Sequence, residues 1–186
     1  MKSGSQHQPI FTLEQGWLEG AVKDRQSITS DWVPQQALIQ GVRVKEIKNV
    51  VNEQTVLTEI FRRDWELDAG PLEQVFQIRL TPGKISAWHA HQWTTDRFFI
   101  SQGLIKIVLY DARQASDTHG QINELRFGTV RPALIIVPPG IWHGVQNLAD
   151  EPSFLLNLVD CAYDYEDPDH WRLPWNTPVI PYSFAK

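Results

Sequence analysis

The sequence predicts an all-β fold, a sandwich or closed barrel. Three observations predict it. Runs rich in β-branched and aromatic residues recur from about residue 42 onward, each only long enough for one strand. Turn signals such as Asp-Ala-Gly-Pro, Thr-Pro-Gly and Ser-Gln-Gly separate them at near-regular spacing. Two of these runs carry histidines beside apolar residues, His89 and His91 in one and His143 in the other.

Taken in order, residues 1–33 are polar and weakly patterned, with scattered aromatics, and read as an irregular arm. Pro34 and Gly41 bracket a short stretch that reads as a brief helix, proline at its start and glycine at its stop. Expected strands follow at 55–61 (TVLTEIF), 73–80 (EQVFQIRL), 85–91 (ISAWHAH), 96–101 (DRFFIS) and 104–111 (LIKIVLYD). INELRF (122–127), ALIIV (133–137), WHGVQ (142–146) and SFLLNLV (153–159) continue the series. After Asp160 the alternation stops, and the proline-rich remainder reads as an extended tail wrapping the barrel. The expected division is an arm at 1–41, a barrel at 42–160 and a tail at 161–186.

Composition narrows the function. At 186 residues and 21.4 kDa one domain can bury a core without cross-links. Cys161 is the single cysteine, so no internal disulfide can form, and it reads as a small buried hydrophobe at a strand end. No apolar run is long enough to span a bilayer, and the first residues lack the apolar core of a signal peptide. Cytoplasmic residence and no membrane partner are therefore expected. Net charge is −5 with no Lys/Arg run, which argues against a nucleic-acid polymer as partner. A small anionic ligand stays open, since a few arginines in a pocket suffice. Of eight tryptophans, Trp88, Trp93 and Trp142 flank the histidine strings and suggest an aromatic-walled site.

Side chains alternate along a strand, so His89 and His91 point one way, about 7 Å apart, with Ala90 opposite. Asp96 follows closely, and His143 comes from a later strand. His89, His91, Asp96 and His143 make a donor set suited to Zn, Fe, Ni or Mn. His7, His119 and His170 match no such pattern and read as solvated.

Gly83-KISAW-His89-Ala90-His91-QWTT-Asp96-RFFISQ-Gly103 and Pro138-Pro139-Gly140-Ile141-Trp142-His143-GVQ-Asn147 resemble the paired motifs of the cupin superfamily, with Asp96 where glutamate is usual. The fold this implies is the double-stranded β-helix, or jelly-roll barrel. More closely, the chain resembles the dTDP-4-dehydrorhamnose 3,5-epimerase family from about residue 42 to its end. Glu59-Ile60-Phe61-Arg62, Asp111-Ala112-Arg113 with Ser116 and Gly120, Ile136 to Gly144, and Trp175-Asn176-Thr177-Pro178 carry this resemblance.

The resemblance implies an epimerase or isomerase of a dTDP-4-keto-6-deoxyhexose-like sugar nucleotide, needing no cofactor. His89 would be the base, Tyr163 the acid (Tyr165 being the alternative), and His143 the second family histidine. Arg62, Glu59 and Arg113 would bind substrate, with Trp88, Trp142 and Asn147 around them. It also implies a homodimer with N-terminal strands exchanged between barrels. The arm at 1–41 adds Phe11, Trp17 and Trp32, apolar groups a free polar tail has little reason to carry. It is expected to pack across the twofold interface, with Glu59 and Arg62 near the seam. The chain departs from the family at two places: Asp96 stands at the lysine position and Thr177 at the aspartate of W-N-D-P. A partner carboxylate for His89 would then have to come from elsewhere, Asp167 and Asp169 being the candidates. These departures keep two alternatives open, a metal-dependent cupin oxygenase or isomerase and a sugar-binding cupin without turnover.

Overall fold

Gly83, Gly103 and Gly140 all adopt positive φ, between 68° and 82°, and each sits in a tight turn beside a strand end. In the computed structural model, which describes residues 18–31 and 34–184, these turns punctuate twelve β-strands and no α-helix. The strands are β1 Arg43–Glu46, β2 Val50–Val51, β3 Val56–Leu57, β4 Gln74–Leu80, β5 Ile85–Ala90, β6 Asp96–Gln102, β7 Leu104–Asp111, β8 Ile122–Gly128, β9 Ala133–Val137, β10 Ile141–Asn147, β11 Ser153–Val159 and β12 Trp171–Arg172. A single 3-10 turn spans Arg63–Trp65.

Two five-stranded sheets, ordered β1-β9-β6-β11-β4 and β12-β5-β10-β7-β8, face one another, and β2 and β3 form a separate ribbon. Every pairing is antiparallel. This is the expected jelly-roll architecture. Its interior is filled by alternate residues: Ile105, Ile107 and Leu109 of β7, Ile135 and Val137 of β9, Phe98 and Ile100 of β6, and Leu155 of β11. The intervening residues are buried too. Leu134, Ile136 and Phe99 lie under Ile47, Phe61, Trp65 and Leu67, while Trp88 and Val108 lie under Ile180 and Phe184 of the tail. Covering both faces explains why β9 reads ALIIV rather than as an alternating pattern.

The chain falls into two compact units that meet in sequence at Gln36/Ala37. Within the first unit, Ile28 bridges Pro34 and the Gln35 N–H reaches the Ser27 carbonyl at 2.8 Å. Phe11, Trp17 and Trp32 lie outside the described residues. The second unit starts at Ala37, earlier than position 42. The helix expected over 34–41 is absent. Instead the Asn123 side chain accepts from the Ile39 N–H at 2.8 Å and donates to the Ala37 carbonyl at 2.9 Å. That seats Ile39 in the barrel core, where burial outweighs a weak local helix preference.

Two further differences arise in the same unit. The run 55–61 forms only a two-residue strand, because Ile60 and Phe61 turn inward against the outer face of the first sheet. The tail is not irregular throughout: β12 adds to β5, with Trp171 opposite Ala90 and Arg172 opposite His89. Gly144 is required where these layers meet. A Cβ there would run into Ala87 and Phe184.

Candidate functional site

Between the sheets, at one end of the barrel, lies a cavity of about 400 Å³. Strand alternation supplies its walls. β4 contributes Gln74, Phe76 and Ile78, β11 contributes Leu155, Asn157 and Val159, and β10 contributes His143 and Val145. β5 departs from this rule. Its register against β10 shifts, His143 facing His89 but Val145 facing Ser86, so Ser86 and His89, three residues apart, both line the cavity. The tail closes the rim with Tyr163, Asp169, His170 and Arg172.

His89, His91 and His143 converge as the sequence predicts. His143 packs 5.5 Å from the His91 ring and 5.8 Å from the His89 ring. Asp96, far from an exposed strand start, is 2% exposed, and the Asn157 amide donates to its Oδ1 at 2.7 Å. Its Oδ2 has no hydrogen-bond partner and lies 3.4 Å from both His91 Nε2 and His143 Nε2. Burial pushes the Asp96 carboxyl up, against the pull of His91. His143 is pushed down to about 3, first by burial and then by the charge of His91. His89 is likewise pushed down to about 3 by burial, with His143, His170 and Arg172 adding to it.

The four-residue donor set divides. Ligand atoms of His91, Asp96 and His143 lie within 4.8 Å of one another, but His89 is turned away from that group. Ser86 Oγ lies 3.0 Å from its Nε2, and His170 Nε2 lies 2.9 Å from its Nδ1. His170 is therefore not solvated, as its sequence context suggested; β12 pairing carries it into the cavity. Asp169 does not partner His89. Its carboxylate accepts from the backbone N–H groups of Gln92, Trp93 and Thr94 and from the Thr94 hydroxyl.

Several expected binding residues lie elsewhere. Trp88 is fully buried on the opposite face of β5, against Tyr182 and Phe184, and Trp142 joins the same cluster one residue out of phase with His143. Only Trp93 of the three flanking tryptophans lines the cavity. Asn147 is a buried turn clamp, donating to the Leu80 and Glu151 carbonyls and accepting from Ser153. Arg113 is engaged by Asp111 at 2.9 Å, whose carboxyl also accepts from Ser116 and Thr118. Arg62 pairs with Glu59 and Asp64 on the wall of a separate cavity.

Tyr163, 47% exposed, lines the cavity, while Tyr165 does not and meets the Tyr163 ring edge-on at 5.3 Å. Cys161 lines it too and is only half-buried, a different setting from the buried strand end expected. Sequence reasoning missed Ser86, Asn157, His170 and Arg172. Asn157 carried a signal, a lone amide in the otherwise apolar SFLLNLV.

Fold and cavity together define a jelly-roll cupin with a histidine-rich site. No family model matches the chain. It is 35% identical over 140 residues to the probable low-salt glycan biosynthesis epimerase Agl13 of Haloferax volcanii, covering 74% of this chain and 89% of that protein. To the spore coat polysaccharide biosynthesis protein SpsL of Bacillus subtilis it is 30% identical over 150 residues, or 79% and 97% of the two. Among solved structures it resembles a dTDP sugar isomerase from Desulfovibrio desulfuricans G20, with TM-score 0.73, 25% identity and coverage of 78% and 91%. The chain belongs to the dTDP-4-dehydrorhamnose 3,5-epimerase family of sugar-nucleotide epimerases and isomerases.

Proposed function

We propose that the protein is an epimerase or isomerase of a dTDP-4-keto-6-deoxyhexose or a close analogue, working by proton transfer at a carbon next to the ketone. The observation that carries this reading is a neutral imidazole, His89, lining a cavity that Tyr163 lines as well. His89 takes the α-proton and Tyr163 returns one. His143 lies beside His89, 5.8 Å away between ring centres, and contributes a second imidazole to the same wall. Burial drives Asp96 toward its neutral form, which removes the negative charge that would oppose an enolate at the family's lysine position. Arg172 is the one arginine or lysine lining the cavity among the described residues, and it receives the anionic part of the substrate.

The test is proton exchange with dTDP-4-keto-6-deoxyglucose in D2O, followed by NMR. Expected is deuterium at a carbon flanking the ketone, reduced about 100-fold or more in His89→Ala. Absence of exchange together with absence of dTDP binding overturns the reading. Binding without exchange would make the protein a sugar-nucleotide binder.

One observation favours a second reading. His91 Nδ1 donates to the Asp169 carbonyl and His143 Nδ1 faces the Ile141 carbonyl at 3.3 Å. Each ring thus presents an unprotonated Nε2, and Asp96 Oδ2, once a cation displaces its proton, completes a set of three converging acceptors. A divalent metal (Zn, Fe, Ni or Mn) fits this set, and bound there it would polarise a substrate oxygen. Elemental analysis after reconstitution decides: about one equivalent per chain supports it, and less than about a tenth removes it.

The same reading takes the protein as a homodimer. Val50, Val51, Val56 and Leu57, all more than half exposed on the β2–β3 ribbon, form the apolar surface that a second copy would cover. In this arrangement the arm at 1–41 reaches the partner, and Glu59 and Arg62 serve the seam.

A further inference from the structure

His89 is held at both ring nitrogens. Ser86 Oγ lies 3.0 Å from Nε2, and His170 Nε2 lies 2.9 Å from Nδ1, its ring nearly edge-on at 70°. In hydrolytic triads the corresponding partner of a base histidine is a carboxylate, and here neither Asp167 nor Asp169, nor any other carboxylate among the described residues, bonds His89. The Asp169 oxygens accept four hydrogen bonds from residues 92–94. Asp96 bonds Asn157 and faces His91 and His143. Thr177, at the position where the resemblance places an aspartate, accepts only the Val179 N–H at 3.4 Å.

We propose that His170 is the positioning residue of His89, accepting a hydrogen bond from His89 Nδ1–H through its own Nε2. This fixes the tautomer in which the His89 Nε2 lone pair is available in the cavity. The inference rests on the reading of His89 as the base. Only one direction of the hydrogen-bond chain leaves Nε2 an acceptor: Ser86 donates to His89 Nε2, and His89 Nδ1 donates to His170. Substrate then takes the place of the Ser86 hydroxyl.

His170 is itself fixed in place. Its backbone N–H reaches the Pro168 carbonyl at 2.8 Å, and the next two residues pair with β5 opposite Ala90 and His89. The base and its partner are thus set by one piece of strand pairing, which holds their separation against thermal motion of the tail.

The experiment uses the full chain with ¹⁵N-labelled histidine, together with His170→Ala and His170→Gln. Gln is chosen because its Oε1 reaches about as far as the imidazole Nε2 and can accept the same hydrogen bond. Long-range ¹H–¹⁵N correlation reads the His89 tautomer directly, and the exchange assay reads kcat and KM. Expected are the Nδ1–H form of His89 in the wild type and a kcat about 100-fold lower in His170→Ala with KM unchanged. His170→Gln should recover kcat to within about tenfold of wild type. An Nε2–H tautomer in the wild type overturns the proposal. So does full activity in His170→Ala, or a folded His170→Gln as inactive as His170→Ala. A wild type that exchanges no proton overturns the epimerase reading instead, and the tautomer then decides the positioning role alone.

Discussion

Trp88 and His89 are neighbours in sequence on opposite sides of one strand. Alternation sends His89 to the cavity and Trp88 to the layer beneath Tyr182 and Phe184, so the indole serves packing. Trp88→Ala should therefore cost about 3–5 kcal/mol of stability in urea denaturation and leave dTDP affinity unchanged. Weaker dTDP binding at full stability would return Trp88 to the site. The titrating groups give a second expectation. His89 and His143 protonate only near pH 3 in the folded state and near 6.5 when unfolded. Their contribution to stability is full above about 6.5 and is lost as pH falls toward about 3. Asp96 works the other way, because burial raises its carboxyl above the unfolded value, and it opposes part of the histidine contribution. Two such histidines set an upper bound of about 2.7 kcal/mol per pH unit of acidification, which the partial exposure of His89 and the opposing Asp96 both reduce. The Asp96→Asn protein should show a steeper loss. A urea midpoint that climbs on acidification would contradict this account.

At the scale of elements, local turn chemistry and side-chain pattern made most of the barrel legible. β7, β9 and β11 run over the residues expected, because Gly103, Pro132, Pro138 and Pro152 bound their apolar runs without outside help. The elements that were not legible owe their existence to distant partners. β12 is two residues long and holds only through β5 and through reciprocal backbone bonds between Trp88 and Leu173, at 2.8 and 3.1 Å. His170 enters the site on that pairing, and nothing in Asp-Pro-Asp-His-Trp-Arg announces it. Ile39 likewise follows Asn123, 84 residues away, rather than its own neighbours. His89, His91 and His143 were readable from spacing, while the split between His89 and the other three donors goes with the register shift in β5. Leu173→Pro removes the donor to the Trp88 carbonyl and should cost about 1–3 kcal/mol. It should also lower exchange activity, since His170 sits three residues before it. Unaltered thermal stability in that variant would show β12 to be dispensable. Gly144→Ala presses a methyl into Ala87 and Phe184 and should destabilise by about 1–3 kcal/mol.

For the whole molecule the assembly question is settled by mass. Light scattering at micromolar concentration should give twice the 21.4 kDa of one chain, and Val51→Lys on the β2–β3 ribbon should shift it toward the monomer. A wild-type monomer would end the dimer reading. Beyond assembly, the order of strands in the two sheets carries a temporal consequence. β4 at residues 74–80 has its barrel neighbour in β11 at 153–159, β1 waits for β9, and β5 is flanked by β10 and β12. A ribosome releasing this chain from its N-terminus therefore delivers early strands with exposed edges and no partners for most of translation. The cavity cannot close until the segment bearing Tyr163, His170 and Arg172 has emerged. Completion of the cavity is thus a late event in synthesis, and the early strands are the stretch for which a holding chaperone has most use.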